Sequence, residues 1–340
     1  MAEHLRSGLW RRRLLSILGS VFVLVALVGA PSGVASAVSS PKWVSAGYLD
    51  KFQPSTAIPS ALSCPRPQFC VAATTSGQAY VWVPGRWRPQ ESSDAAGADV
   101  SCPKPTFCMS VNTSYPTAQT YDSSGGDLTW HDESVTSSET ANPAVVSCAS
   151  ASFCMAADGT GGEVYSWQDG SWAAAQQVAG TSDSDAFSSM SCPTQSFCAA
   201  GAQGGIAFTY ANEVWGSGTT LDPGEHSYLD ISCPAPGRCV AASGDRKIFT
   251  FAGGRWQSNG TLASTGDVVS LSCPTIAFCA AGLISGKAAE VVTFSGGRWT
   301  SPVVLAKDVD NEDSYGMSLS CASSRSCMAA ATNGKSYVLR

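Results

Sequence analysis

The residues best placed to do chemistry in this chain are its cysteines. All 14 cysteines form seven pairs, each with five intervening positions. The pairs are Cys64/Cys70, Cys102/Cys108, Cys148/Cys154, Cys192/Cys198, Cys233/Cys239, Cys273/Cys279 and Cys321/Cys327. Cys-x5-Cys is not a usual zinc spacing, and beyond the N-terminal segment only His131 and His226 could complete a zinc site. Disulfides within each pair are therefore expected, because the same two cysteines recur in every repeat with the same local surroundings. Spacing alone does not prove connectivity.

The N-terminus predicts the compartment in which those thiols oxidise. Three arginines, Arg11–Arg13, precede an apolar run from Leu14 to Ala30, and Ala35-Ser36-Ala37 offers a small-x-small cleavage site. This pattern predicts a signal peptide at residues 1–37, cleaved after Ala37, and a secreted, extracellular protein in which disulfides persist. The alternative is an uncleaved N-terminal anchor, because a run of about 17 residues is at the lower limit for spanning a bilayer.

The cysteine pairs mark a repeat. The first cysteine recurs at Cys64, Cys102, Cys148, Cys192, Cys233, Cys273 and Cys321. A period of roughly 40 residues indicates an array of supersecondary units. We predict an all-β protein, a seven-bladed β-propeller with four strands per blade, named a to d, in a single domain over residues 38–340.

Each unit has the same order of features. A serine precedes the first cysteine at the end of strand a, and the disulfide closes the a–b turn. By the chain-entropy relation, closing a loop of this length stabilises the fold by about 2.4 kcal/mol. An aromatic strand c and a glycine-rich turn follow, and a tryptophan opens strand d. These tryptophans are Trp87, Trp130, Trp172, Trp215, Trp256 and Trp299. We interpret them as filling space between blades rather than stacking on a ligand, and the serines as small residues where blades crowd at the axis.

The seventh unit lacks its fourth strand. The chain ends at Arg340, too soon after Cys327 for another tryptophan strand, whereas Trp43 precedes Cys64 at the spacing of the other tryptophans. We therefore expect the N-terminal strand around Trp43 to complete the last blade. Such closure leaves no free sheet edge, and we expect a monomer.

Two c–d hairpins resemble a known motif. Residues 123–130, Ser-Ser-Gly-Gly-Asp-Leu-Thr-Trp, and residues 166–172, Ser-Trp-Gln-Asp-Gly-Ser-Trp, resemble the Asp-box of sialidase-like propellers, Ser-x-Asp-x-Gly-x-Thr-Trp. As a whole the chain is similar to secreted bacterial repeat proteins of the Ser-Cys-x5-Cys type. The resemblance implies a propeller distantly similar to the sialidase-like superfamily, and says little about activity.

The positions of the arginines argue against sialidase activity. Sialidases bind the substrate carboxylate with three arginines on the top face, which carries the d–a and b–c loops, beside a Tyr/Glu pair and an Asp. Here only Arg246 falls in a top loop. The other arginines of the loops and turns fall in a–b loops (Arg66, Arg238, Arg325) or c–d turns (Arg86, Arg255, Arg298), on the bottom face.

Two function classes are left open. His226 with Asp222 or Asp230 could formally serve a serine hydrolase, but Gly-x-Ser-x-Gly is absent. A carboxylate-pair glycosidase is the enzymatic alternative. We favour a binding or recognition module for a glycan or protein ligand, with no catalytic residues, no cofactor, no nucleic-acid partner and no membrane attachment after signal cleavage.

The distribution of acidic residues predicts which face of the protein binds a ligand. Removing residues 1–37 takes away four basic residues and one acidic residue, which leaves 16 Lys+Arg, 25 Asp+Glu and a net charge of −9. Seventeen of these acids fall in d–a connections, and Asp158, Glu163, Asp245 and Glu290 fall in or beside b–c loops, which predicts an acidic top face that attracts cations or basic partners. The densest patch predicts Asp308, Asp310 and Asp313 as calcium ligands; a solvated loop is the alternative reading.

Overall fold

The computed structural model describes residues 41–340 apart from 84, 91–96, 113–116, 123–128, 136–141, 179, 182–185, 225–227 and 310–315. Apart from one 3-10 turn, Gln203–Gly205, the regular elements in these ranges are all β-strands, so the all-β class is confirmed. The predicted signal peptide lies outside the described residues. Within the described ranges, no helix has the length and apolarity needed to cross a membrane.

The described strands form seven antiparallel sheets. Blade 1 contains β2 (Pro59–Arg66), β3 (Phe69–Thr74), β4 (Ala79–Val83) and β5 (Arg86–Pro89), and blade 2 contains β6 (Asp99–Lys104), β7 (Phe107–Val111), β8 (Thr117–Asp122) and β9 (Thr129–Ser134). Blade 3 contains β10 (Pro143–Ser150), β11 (Phe153–Asp158), β12 (Glu163–Gln168), β13 (Ser171–Trp172) and β14 (Gln176–Gln177). Blade 4 contains β15 (Phe187–Thr194), β16 (Phe197–Ala202), β17 (Ile206–Ala211), β18 (Val214–Trp215) and β19 (Thr219–Thr220).

The remaining strands complete the ring. Blade 5 contains β20 (Leu229–Ala235), β21 (Arg238–Ser243), β22 (Lys247–Ala252) and β23 (Arg255–Thr261), and blade 6 contains β24 (Asp267–Thr275), β25 (Phe278–Ser285), β26 (Ala288–Ser295), β27 (Arg298–Trp299) and β28 (Val303–Lys307). Blade 7 contains β29 (Met317–Ser323), β30 (Ser326–Ala331), β31 (Lys335–Leu339) and the first strand, β1 (Trp43–Tyr48).

Strand a of every blade contacts strand a of the next blade, and strand a of blade 7 contacts strand a of blade 1. This closed cycle makes the molecule a β-propeller with the a strands at its axis. Because each sheet is antiparallel, strands a and c begin on one face, where strands b and d end. That face is the top face, and the opposite face, which carries the a–b and c–d turns, is the bottom face.

The prediction of four strands per blade is wrong for blades 3, 4 and 6. In these blades strand d is broken into two short segments that both pair with strand c. The break follows the local sequence. Pro302 in blade 6 has no N–H to donate, Gly216 and Gly218 weaken the strand in blade 4, and three alanines of low β-propensity, 173–175, interrupt it in blade 3.

The N-terminal strand occupies the place of strand d in blade 7. Trp43 pairs with Leu339 and Tyr48 with Lys335, with one irregularity between them. Beyond the paired strands, the Lys42 and Arg340 backbones exchange hydrogen bonds of 2.7 and 3.0 Å. The ring is therefore closed by the two ends of the described chain.

The core consists of apolar clusters between neighbouring blades rather than one central core. The strand-d tryptophans belong to these clusters: Trp172, for example, packs against residues of blades 2 and 3, and Trp43 packs against residues of blades 6 and 7. In five blades this tryptophan also meets an aromatic ring of strand c, with centroids 5.2–5.6 Å apart. The interpretation of the tryptophans as inter-blade core is confirmed.

Every cysteine pair is joined by a disulfide, with Cα atoms 3.9–4.1 Å apart. The seven bridges are Cys64–Cys70, Cys102–Cys108, Cys148–Cys154, Cys192–Cys198, Cys233–Cys239, Cys273–Cys279 and Cys321–Cys327. The local pairing is therefore confirmed, and among the described residues no cysteine is free. All these cysteines are buried. Each disulfide links strand a to strand b beside their turn, so all seven lie toward the bottom face.

Candidate functional site

The serine before each first cysteine is a linker between blades. Its Oγ accepts a hydrogen bond from the backbone N–H of the first cysteine of the next blade, at 2.8–3.0 Å. The seven acceptors are Ser63, Ser101, Ser147, Ser191, Ser232, Ser272 and Ser320, and the last bond, from Cys64 to Ser320, closes the circle. The repeat predicted only small side chains here. The signal for the bond was the use of serine in every blade, where alanine or glycine would also be small.

A second, incomplete circle lies two residues closer to the top face. Ser189 and Ser270 accept the N–H of Ile231 and Leu319 of the following blade, each at 3.0 Å. In two blades aspartates take this role: Asp99 Oδ2 accepts the Val146 N–H at 2.8 Å, and Asp230 Oδ2 accepts the Leu271 N–H at 2.6 Å. The remaining blades have Ala61, Val145 and Ser318 at this position.

The two aspartates carry perturbed carboxyl groups at the axis. Burial raises the pKa of Asp99 to about 6, although the Val146 and Val100 amides lower it. Burial and, to a smaller extent, the charge of Asp99 raise the pKa of Asp230 to about 7, although the Leu271 and Ile231 amides lower it. Both carboxyl groups therefore change their charge near neutral pH. Sequence reasoning missed them, since an aspartate in strand a looks like any other acid.

A buried tyrosine and two acids form a cluster at the top of blade 3. Tyr165 O–H donates to Glu163 Oε2 at 2.9 Å, and Asp158, only 3% exposed, accepts the Thr160 N–H at 3.0 Å. Burial raises the pKa of Asp158 and, together with Glu163, that of Tyr165. A phenol that donates to a carboxylate has the arrangement of an activated nucleophile, but Tyr165 is only 1% exposed, so a substrate has little access to it.

Asp222 and Asp230, which were considered as partners for His226, serve other purposes; His226 itself lies outside the described residues. Asp222 is 1% exposed and forms an ion pair with Lys247 of blade 5. Burial raises its pKa, but the bonds to Lys247 and Ser243 outweigh this and leave it below its usual value. The pair fixes the loop after strand d of blade 4 to the next blade.

The single top-face arginine of the described chain is also engaged. Arg246 Nη1 lies 3.8 Å from Asp267 Oδ1 and 3.4 Å from the Thr265 carbonyl oxygen, to which it donates. Beside it, Ser264 Oγ donates to Glu290 Oε2 at 3.4 Å, in an open groove of about 390 Å³. Carboxylates and hydroxyls dominate this surface, and its described residues include no second guanidinium to hold a substrate carboxylate.

The calcium prediction is not tested. Asp308 is exposed, with a left-handed φ of 56°, whereas Asp310 and Asp313 lie outside the described residues. Within the described ranges no three metal-ligating side chains come together.

No known protein family matches the sequence, and no curated protein is significantly similar to it. The similarity lies in structure. A streptogramin B lyase has a TM-score of 0.69 at 8% identity, covering 88% of this chain and 98% of that chain. Virginiamycin B lyase from Staphylococcus aureus has a TM-score of 0.68 at 8% identity, covering 88% of this chain and 99% of that chain. The WD40 β-propeller domain of Doa1 has a TM-score of 0.65 at 8% identity, covering 88% of this chain and 97% of that chain. At such identities the likeness establishes the propeller fold alone. The expected kinship with sialidase-like propellers gains no support from these comparisons.

Proposed function

We propose that this protein is an exported binding module that recognises a positively charged ligand, a basic segment of a protein or an amino-bearing glycan, on its top face. The observation that carries the proposal is the distribution of charge. The described top face has ten acids, Asp50, Asp99, Asp158, Glu163, Asp222, Asp230, Asp245, Asp267, Glu290 and Asp308. It has six cations, Lys51, Arg246, Lys247, Lys287, Lys307 and Lys335. Asp99, Asp158 and Asp230 are buried with raised pKa values, and Asp222 is paired with Lys247. The excess therefore rests mainly on nine further acids that the sequence places in the d–a connections, in segments without lysine or arginine: Glu91, Asp94, Glu139, Asp183, Asp185, Glu225, Asp310, Glu312 and Asp313. This excess of acid favours a basic partner and speeds its association.

Exposed aromatic rings support the same face. Of the described aromatic side chains, those with the greatest exposure are Phe52 at 82%, Tyr228 at 48% and Tyr48 at 41%. Tyr48 ends strand β1, Phe52 follows it, and Tyr228 precedes β20, so all three lie at the top. Two of these rings already contact ammonium groups of the chain, with Lys51 Nζ 4.7 Å from the centroid of the Phe52 ring and Lys335 Nζ 5.9 Å from that of Tyr48. Exposed rings of this kind suit a ligand with cationic or sugar groups, because they take part in cation–π and stacking contacts.

A glycoside hydrolase is the second candidate, and Glu163 with Asp158 is its only described close acid pair with a tyrosine. Two observations weigh against it. Asp158 is buried, and so is Tyr165. A catalytic acid must reach the glycosidic oxygen, which leaves binding as the better-supported function.

The test uses a lysine-rich peptide as probe on the mature protein. We expect binding that weakens with salt and falls at least fivefold in the variant Asp245→Asn/Glu290→Gln/Asp308→Asn, while the bottom-face control Asp169→Asn/Glu213→Gln keeps its affinity. Equal binding by all three proteins would contradict the proposal.

Two further measurements address the alternatives. A panel of chromogenic glycosides should give no turnover, and hydrolysis lost in Glu163→Gln would establish the enzyme instead. For export, N-terminal sequencing of the protein from culture medium should begin at Val38.

A further inference from the structure

The bottom face carries positive charge, in contrast to the acidic top face, and most of this positive charge lies on one side of the ring. Blades 5, 6, 7 and 1 are consecutive, and their bottom turns present eight cations that we call the basic arc: Arg238, Arg255, Arg298, Arg325, Arg340, Lys42, Arg66 and Arg86. The sequence places no acid in the bottom turns of these four blades. The described bottom acids, Asp122, Asp169 and Glu213, belong to blades 2, 3 and 4.

The basic arc is exposed and has no ion-pair partner among the described residues. All eight side chains are exposed, and the ion pairs of the described residues, Lys247 with Asp222 and Arg246 with Asp267, both lie on the top face. Eight like charges without counter-charges repel one another, so they destabilise the free protein slightly. An anionic ligand would remove that repulsion.

The turns hold the guanidinium groups in a repeated arrangement. Gly253 and Gly254 precede Arg255 with φ of 59° and 78°, and Gly296 and Gly297 precede Arg298 with φ of 59° and 80°. These are left-handed conformations that only glycine adopts without strain. The two neighbouring blades therefore place their arginines in the same way.

The chemistry of the arc differs from that of the top-face cations. Seven of its eight residues are arginines, whereas five of the six top cations are lysines. The planar guanidinium binds carboxylate and sulfate oxygens in pairs, which an ammonium does not. A row of such groups suits a ligand whose anionic groups repeat along a chain, because several weak contacts then act together.

The arc lacks what a nucleic acid would need. The exposed aromatic rings of the described chain lie on the top face, so no base-stacking platform accompanies the arginines. Next to the arc, Lys104 of blade 2 lines an open groove of about 410 Å³ with Ser150 and Ser152, and hydroxyls beside an ammonium suit a sugar chain with acidic groups.

We infer that the basic arc binds a linear anionic polysaccharide. This surface is independent of the acidic top face and uses none of its residues. Binding should depend on salt, because the contacts are exposed and screened.

Dextran sulfate is the probe, and uncharged dextran is the control ligand. The variant Arg238→Gln/Arg298→Gln/Arg325→Gln should bind dextran sulfate at least tenfold more weakly. The matched variant Lys51→Gln/Lys287→Gln/Lys307→Gln, which loses the same charge from the top face, should stay within twofold of the unmodified protein. Equal melting temperatures of the two variants would show that the loss is not unfolding.

Three outcomes would overturn the inference. They are failure of the unmodified protein to bind dextran sulfate at low salt, equal weakening in both variants, and equal binding of uncharged dextran. Tighter binding of a single-stranded oligonucleotide of the same charge would assign the arc to a nucleic acid instead. The lysine-rich peptide reports on the top face separately, so the two proposals can fail independently.

Discussion

The inner and outer edges of the blades follow different rules. At the inner edge every blade repeats one device, a serine that accepts the next blade's cysteine N–H, without exception around the ring. At the outer edge strand d is continuous in four blades and broken in three. Strands at the axis must fit two neighbours at once, whereas an outer strand faces solvent on one side and tolerates irregularity. Substitutions should therefore matter more toward the axis, except where the outer strand closes the ring.

The largest effect is expected from that exception. Deletion of residues 38–50 removes Trp43 and strand β1, which leaves the outer edge of β31 unpaired and opens the cluster between blades 6 and 7. Loss of a fully buried large aromatic costs about 3–5 kcal/mol; Trp43 is partly buried, and the lost pairing of the whole strand adds to its contribution. Thermal melting should show a large drop or no cooperative transition. An unchanged melting temperature would show that the ring does not need this strand.

The next effect concerns the disulfides at the inner hairpin. Replacement of Cys148 and Cys154 by alanine should lower the free energy of unfolding by about 2 kcal/mol, because a short loop is no longer closed in the unfolded chain. Urea denaturation measures the loss. In the unmodified protein, alkylation without reduction should label no cysteine, and each pair should map to one peptide; a bridge between two blades would contradict the observed pairing.

The third largest loss of stability is expected from removing a single serine hydroxyl at the axis. Ser147→Ala leaves the Cys192 N–H without its acceptor, and an unsatisfied buried amide costs about 1–3 kcal/mol. Thr219→Ala in the exposed outer segment β19 is the control, and should change stability by no more than about 0.5 kcal/mol. Equal effects of the two substitutions in urea denaturation would remove the distinction between the edges.

The last effect depends on pH. In the folded protein the pKa of Asp230 is raised to about 7, so the native state holds a proton that the unfolded chain has lost. Stability from this group is present below about pH 4 and is lost as pH rises through 7. Asp230→Ser keeps an acceptor like Ser189 and should be more stable than the unmodified protein at pH 8 but not at pH 4. Asp245→Ser, at an exposed loop, should show no such crossover in urea denaturation at the two pH values.

The structural features that recur in every repeat could be predicted from the sequence. The cysteine spacing predicted the local disulfides, and the missing tryptophan after Cys327 pointed to Trp43, because each feature recurs often enough for an absence to be visible. It missed what differs between blades. Asp99 and Asp230 replace serine in single strands, and their perturbation arises only where strands from distant parts of the chain meet. The breaks in strand d follow from local glycine, proline and alanine, which are weak signals beside a strong tryptophan.

The bonds between Lys42 and Arg340 have a consequence for how the protein is made. Strand β1, which completes the last blade, is synthesised before the other strands of the ring, and its partner strand β31 is synthesised after them. If the N-terminus leads the chain across a membrane, Trp43 has no partner until nearly the whole polypeptide has followed. The toroid therefore closes in one late event, and a product that stops before Lys335 has no strand onto which β1 could close. By the same geometry the two ends could be joined by a short peptide and new ends opened in a top-face loop, giving a permuted chain with the same ring.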